Sequence, residues 1–125
     1  MKTKLATIGA TTIAIAGLIT GSGPAAADMA NAGDRVRQSF CSNSYTGNKI
    51  FAQDEFGSKT ATYRLGDPGK SPHCGSVSFV ARDSTPLLTT LTNEDASWAT
   101  CEIRINGRLV ARSEDSSEFG VLVIC

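Results

Sequence analysis

The chain has 125 residues, room for one domain, with 12 basic and 12 acidic side chains and a formal net charge of zero. That balance excludes a protein that holds nucleic acid or an anionic membrane surface by bulk charge. A single histidine and four cysteines leave little for acid–base or metal chemistry to work with.

The N-terminal segment carries Lys2 and Lys4, then an uncharged, mostly apolar stretch over 5–20, then helix-breaking residues at 21–24, then Ala25-Ala26-Ala27. A basic start, a short apolar run and an A-x-A site predict a secretory signal peptide over 1–27. Cleavage after Ala27 is expected, with Ala30-Asn31-Ala32 as a second candidate site. The apolar run falls short of the roughly 20 residues that span a bilayer. No lipobox cysteine follows it, because Cys41 is distant and is preceded by Gln38-Ser39-Phe40. The expected location is therefore secreted or cell-envelope, with no stable membrane insertion after cleavage. Loss of residues 1–27 leaves ten basic against twelve acidic side chains, a net charge of −2.

Residues 28–40 are polar and small around one Arg35-Val36-Arg37 patch and read as a flexible leader. From Cys41 onward, short runs of Thr, Val, Ile, Tyr and Phe alternate with Gly, Pro, Asn, Asp and Ser, the pattern of strands and turns. Strands are predicted at 49–53, 59–65, 75–82, 87–92, 99–106, 108–112 and 120–125. The stretch 75–82 alternates Val77, Phe79 and Ala81 with mostly polar neighbours, as a half-buried strand does. Gly66-Asp67-Pro68-Gly69, Ser84-Thr85-Pro86 and Asn93-Glu94-Asp95 are breaks. The expectation is an all-β domain over 41–125, a small antiparallel β-sandwich of about seven strands.

Asn106-Gly107 predicts a type I′ hairpin turn. A two-residue loop there sets Ile105 opposite Arg108 and Ile103 opposite Val110, with Ala111 on the solvent side. The segment 113–118 reads as an acidic loop. The final stretch 120–125 is apolar on both faces, as a central strand is.

All four cysteines, Cys41, Cys74, Cys101 and Cys125, lie in the mature part, and an even count in an exported chain reads as two disulfides. Three pairings can be drawn. Cys41–Cys74 with Cys101–Cys125 is favoured because each bond closes a local loop, worth roughly 3–4 kcal/mol in the chain-entropy model.

Candidate chemical motifs give way to simpler readings. Gly66-Asp67-Pro68-Gly69-Lys70-Ser71 contains Gly-Lys-Ser, but a phosphate loop would need glycine where Arg64 stands, and Pro72 follows where a helix should begin. A turn accounts for it. His73 beside Cys74 suggests a metal ligand pair, yet no C-x-x-C spacing exists, so a disulfide beside an exposed histidine is expected and no metal. No G-x-S-x-G is present, and no pair among the acids is singled out for glycoside cleavage. The run Glu114-Asp115-Ser116-Ser117-Glu118 lacks the glycine and spacing of a calcium loop. Asn106-Gly107-Arg108 resembles an adhesion tripeptide, but the turn explains Asn-Gly. Trp98, the one tryptophan, is expected to cap the core, with a place on a binding surface as the alternative.

The stretch from Pro86 to Cys125 resembles the C-terminal part of the mycobacterial small membrane protein (MmpS) family. The resemblance is carried by Cys101-Glu-Ile-Arg-Ile-Asn-Gly-Arg-Leu-Val110, a Ser-rich segment at 113–117, Gly120, and an apolar run closing on Cys125. It implies a β-sandwich outside the membrane with a Cys101–Cys125 bond, in an accessory of a resistance-nodulation-division exporter of lipids or siderophores. The small-residue-rich signal segment fits a high-GC actinobacterium. The expectation is thus a non-enzymatic envelope accessory or binding module without cofactor, whose partner is an envelope transporter or another secreted protein. A secreted module that binds or inhibits a protease is the alternative, and an exposed loop around 82–86 would serve it.

Overall fold

The computed structural model describes residues 28–125, and the expected signal peptide, residues 1–27, lies outside them. All regular structure among the described residues is strand. In chain order the strands are β1 (Asp28–Ala30), β2 (Arg35–Ser42), β3 (Asn48–Asp54), β4 (Gly57–Tyr63), β5 (His73–Val80), β6 (Thr85–Leu87), β7 (Thr90–Asn93), β8 (Trp98–Ile105), β9 (Arg108–Ser116) and β10 (Val121–Ile124). Two four-stranded sheets, ordered β9-β8-β2-β5 and β10-β7-β3-β4, and the short pair β1-β6 make an antiparallel β-sandwich. These are called the first sheet, the second sheet and the minor pair.

Both expected disulfides are formed. Cys41 and Cys74 are direct cross-strand partners on β2 and β5. Cys101 on β8 reaches Cys125, just past β10, so that bond ties the first sheet to the second with its Cα atoms 6.1 Å apart. One apolar cluster gathers Phe40, Ile50, Leu65, Leu91, Cys101 and Val123. Another gathers Ala30, Val36, Leu87, Ile103 and Ile105, and Cys125 packs against both.

The leader expected over 28–40 is not a leader. Residues 35–42 form β2, which sits inside the first sheet between β8 and β5. Val36, Gln38, Phe40 and Ser42 face inward and Arg35, Arg37, Ser39 and Cys41 face out. The inward row holds only two large apolar residues, so its alternation is faint in sequence. Upstream, Ala30 is fully buried and β1 pairs with β6. Residues 28–42 thus contribute two paired strands to the domain.

Among the described residues ten strands replace the seven expected, partly because 87–92 is split. Leu87 pairs with β1, whereas Thr90–Asn93 pairs with β3 and β10. Between them the Gln53 side chain occupies the backbone of Leu88: its Nε2 donates to the Leu88 carbonyl at 2.8 Å, and the Leu88 N–H donates to its Oε1 at 2.9 Å. An amide side chain here stands in for a neighbouring strand.

The hairpin turn forms as expected, with φ of 52° at Asn106 and 84° at Gly107. The register beyond it departs from expectation. Arg108 faces Ile105 and Leu109 faces Arg104, but a bulge follows, and Ile103 is opposite Ala111 rather than Val110. The extra residue lets Val110 and Ala111 both pack on the apolar cluster, so Ala111 is not a solvent-side position. β9 then continues to Ser116 through the segment read as an acidic loop. Its acids are matched: Glu114 accepts from Trp98 Nε1 at 2.7 Å, and Asp115 accepts the Leu122 N–H at 3.0 Å.

The last strand is an edge strand, not a central one. Val121 and Val123 point into the core, while Leu122 and Ile124 are 51% and 55% exposed. Two apolar faces in the sequence here mean one core face and one face in solvent.

The Asn106 side chain also joins two turns. It accepts the Arg35 N–H, and its amide donates to Asp34 Oδ1 at 3.0 Å. Asp34 further accepts the Asn31 N–H at 2.8 Å. The Asn31 backbone bond, the Asn106 bond and nearby Arg108 hold the Asp34 carboxyl below its ordinary 3.8. A lowered folded-state pKa contributes stability that is present above the unfolded value and is lost as pH falls through the folded one. The melting temperature should therefore decline as pH drops below 3.8, and Asp34→Asn should flatten that decline. Asp28 works with the opposite sign, since burial raises its pKa more than Arg108 lowers it. Melts across acid pH that are parallel for wild type and Asp34→Asn would remove the role assigned to Asp34.

Candidate binding surfaces

The strand pleat sorts every outward side chain onto one of two sheet faces. On the first sheet the outward rows run Leu109–Arg104–Arg37–Ser78 and Arg112–Glu102–Ser39–Ser76, with Glu114–Thr100–Cys41–Cys74 beyond. Glu102 is shared by Arg104 at 3.6 Å and Arg112 at 3.4 Å, and Arg112 also meets Glu114 at 3.6 Å. These contacts are half-exposed, and each adds only a few tenths of a kcal/mol up to about 1. Arg35 and Arg37 make no ion pair among the described residues, so this face is net positive although residues 28–125 hold ten basic against twelve acidic side chains.

The second sheet presents a different surface. Its outward rows run Ile124–Thr90–Phe51–Thr60 and Leu122–Thr92–Lys49–Thr62. Leu122 and Ile124 are about half exposed, and Leu88, at the same end of the sheet, is 40% exposed. Threonine methyls fill much of the remainder. The face is thus flat, weakly polar and apolar along one edge, where large aliphatics otherwise cost hydration free energy of about 25 cal/mol per Å². A shallow open depression of about 260 Å³ lies beside it, between Lys49, Thr62 and Thr92 on one side and Glu94 and Asp95 on the other.

The chemically suggestive residues of the sequence do not converge. The segment 66–71 is a loop between β4 and β5 with no helix after it. His73 is not exposed, as its place beside a disulfide suggests, but 6% exposed on the inward face of β5. It packs against the Tyr45 ring at 5.8 Å, and its Nδ1 has no partner among the described residues. Strand alternation decides this: Cys74 faces out, so His73 must face in. Among the described residues no three of His, Cys, Asp and Glu gather as a metal ion would require. Trp98 does not cap the core. It lies half-buried on the outer face of the first sheet, where Glu114 takes its indole N–H. Asn106 and Gly107 are accounted for by the turn and by the bonds to Asp34 and Arg35. The loop that would serve a protease inhibitor is short, because Thr85–Leu87 is strand β6 and Leu87 is fully buried.

Compared with protein-family models and with curated proteins, the chain matches none.

What sequence reasoning missed is the second-sheet face itself. Its signal was present in Thr60-x-Thr62, Thr90-x-Thr92 and Leu122-x-Ile124, three period-two repeats. That they share one face follows only from the pairing of β10, β7, β3 and β4.

Proposed function

We propose that the mature chain is an exported, non-enzymatic binding module of the cell envelope, and that its working surface is the outer face of the second sheet. The observation that carries this reading is the exposure of Leu122 and Ile124 side by side on β10, next to Phe51 and Leu88. Contiguous exposed aliphatics on a disulfide-stapled sandwich mark a surface that is covered in use. Two disulfides support an oxidising, extracytoplasmic compartment in this reading. The resemblance to the MmpS family supports the choice of partner. Its residues fall mainly on β8, β9 and β10, where the Cys101–Cys125 bond ties β8 to the end of β10, and β10 also bears Leu122 and Ile124. The partner in this reading is an envelope exporter of the resistance-nodulation-division class.

The test is capture from detergent-solubilised envelope by residues 28–125, beside a Leu122→Glu, Ile124→Glu double variant of unchanged circular dichroism. Recovery of such an exporter by the wild type and its loss with the variant is the expected result. Equal recovery by both, or recovery of a soluble secreted protein only, overturns the reading.

A further inference from the structure

Among the described residues β5 is the edge of the first sheet, with β2 on one side and no strand on the other. Cys41 and Cys74 have Cα atoms 4.1 Å apart, the close spacing of a non-hydrogen-bonded antiparallel pair. The Ala81 N–H, one residue past β5, donates to the Asp34 carbonyl, which fixes the same phase from the other end. Residues 75, 77 and 79 therefore bond to β2, while Cys74, Ser76, Ser78 and Val80 aim their N–H and C=O groups outward. Among the described residues none of those outward groups has a protein partner.

Natural sheets blunt such edges with charge, proline, bulges or short length. The other edges here do so. β9 is bulged and carries Arg108, Arg112, Glu114 and Asp115. β4 carries Lys59 at its third position. β10 has four residues, and Asp115 already takes its Leu122 N–H. β5 has eight residues, an unbroken register, no charge and no proline.

We infer that β5 pairs antiparallel with β5 of a second copy of this chain, joining two first sheets into one continuous sheet. A two-fold axis at Ser78 satisfies the geometry. Ser78 then exchanges bonds with Ser78 of the second copy, and Ser76 with Val80, so three outward residues on each copy are paired. The end at Cys74 stays outside this register, because Leu65 and Gly66 already lie against it: a Cβ at Gly66 would come 3.3 Å from Cys74 N. On the inward side the same register sets Val77 beside Phe79 of the second copy, an aromatic–aliphatic pair favoured across strands. Both side chains are half-buried at the open edge and gain cover there. Val80, 53% exposed, lies across from Ser76. Charge does not oppose the pairing. The nearest arginines across the axis, the two copies of Arg37, are three strand spacings or about 14 Å apart, beyond the roughly 8 Å Debye length of physiological salt. Because the patch meets itself, the contact closes as a dimer and does not propagate.

The test uses residues 28–125 in sedimentation equilibrium with amide exchange. The wild type is expected to dimerise in the micromolar-to-millimolar range, and the Ser76, Ser78 and Val80 amides to become protected as concentration rises. Ser78→Lys and Ser78→Glu each place like charges face to face and should weaken dimerisation by roughly tenfold or more. Mixing the two variants should restore it as a heterodimer. Ser78→Pro, which removes an outward N–H that β2 does not use, should give a folded monomer. A wild type that stays monomeric at about 1 mM overturns the inference. So does a dimer indifferent to Ser78→Lys, or one that the Lys and Glu mixture fails to rescue.

Discussion

Gln38→Leu is expected to lower the unfolding free energy by about 3–9 kcal/mol, the sum of leaving three buried polar groups without partners at about 1–3 kcal/mol each. Gln38 is fully buried on β2, between Val36 and Phe40 on the same inward row. Its Nε2 donates to the Gln53 carbonyl at 2.8 Å, and its Oε1 accepts both the Gln53 N–H at 3.0 Å and the Thr89 hydroxyl at 2.7 Å. Gln53 lies beyond the last β3–β7 pair, Phe51 with Thr90, so its backbone has no strand on that side. The Gln38 amide crosses between the sheets and takes that place. Leucine fills similar volume but offers no polar atom, so the backbone of Gln53 and the hydroxyl of Thr89 remain dry and unpaired. Urea unfolding of Gln38→Leu measures this directly. A loss under about 1 kcal/mol would mean that water reaches these groups and that the inter-sheet bridge is incidental.

Cys125→Ser is expected to cost about 2–5 kcal/mol, the range for losing a native disulfide from a small exported domain. The structural ground is the position of the bond. β10 is a four-residue edge strand held in its sheet by β7 alone among the described residues. Without the Cys101–Cys125 bond this short edge strand is free to fray, and fraying would draw Val121 and Val123 out of the core. Cys101 is fully buried, so the bond also fills space between the sheets. The other bond is placed differently. Cys41 and Cys74 join strands that already share eight paired positions, and Cys74 is exposed. Loss of Cys41–Cys74 should therefore cost less than loss of Cys101–Cys125. Parallel denaturation of Cys125→Ser and of a Cys41→Ala, Cys74→Ala variant gives the order, and a reversed order would refute the clamp.

The legible part of this protein is its local grammar. β3, β4, β5 and β8 sit within two residues of the ranges expected from alternation and turn residues. Asn106-Gly107 specifies its turn because both residues tolerate positive φ. An even count of four cysteines, read with the expected signal segment, points to two bonds, and short loop closure favours the pairing that forms. These are properties of a few neighbouring residues, so the sequence by itself determines them. What surrounds each strand is another matter. Arg35–Ser42 reads as a leader because half its inward row is Gln38 and Ser42, and only burial against Gln53, Thr89 and Asn48 makes those polar residues inward ones. Val121–Ile124 reads as a central strand because an apolar outer face looks the same whether a sheet or water covers it. The bulge at Val110 depends on how the core accepts Val110 and Ala111 together, and the inward turn of His73 depends on which face the Cys41–Cys74 bond takes. Likewise, the alignment of Leu122, Ile124, Phe51 and four threonines on one face comes from three different strand pairings. Side-chain period is local, but the order of strands in a sheet is set by long-range packing free energy, and that decided both candidate surfaces.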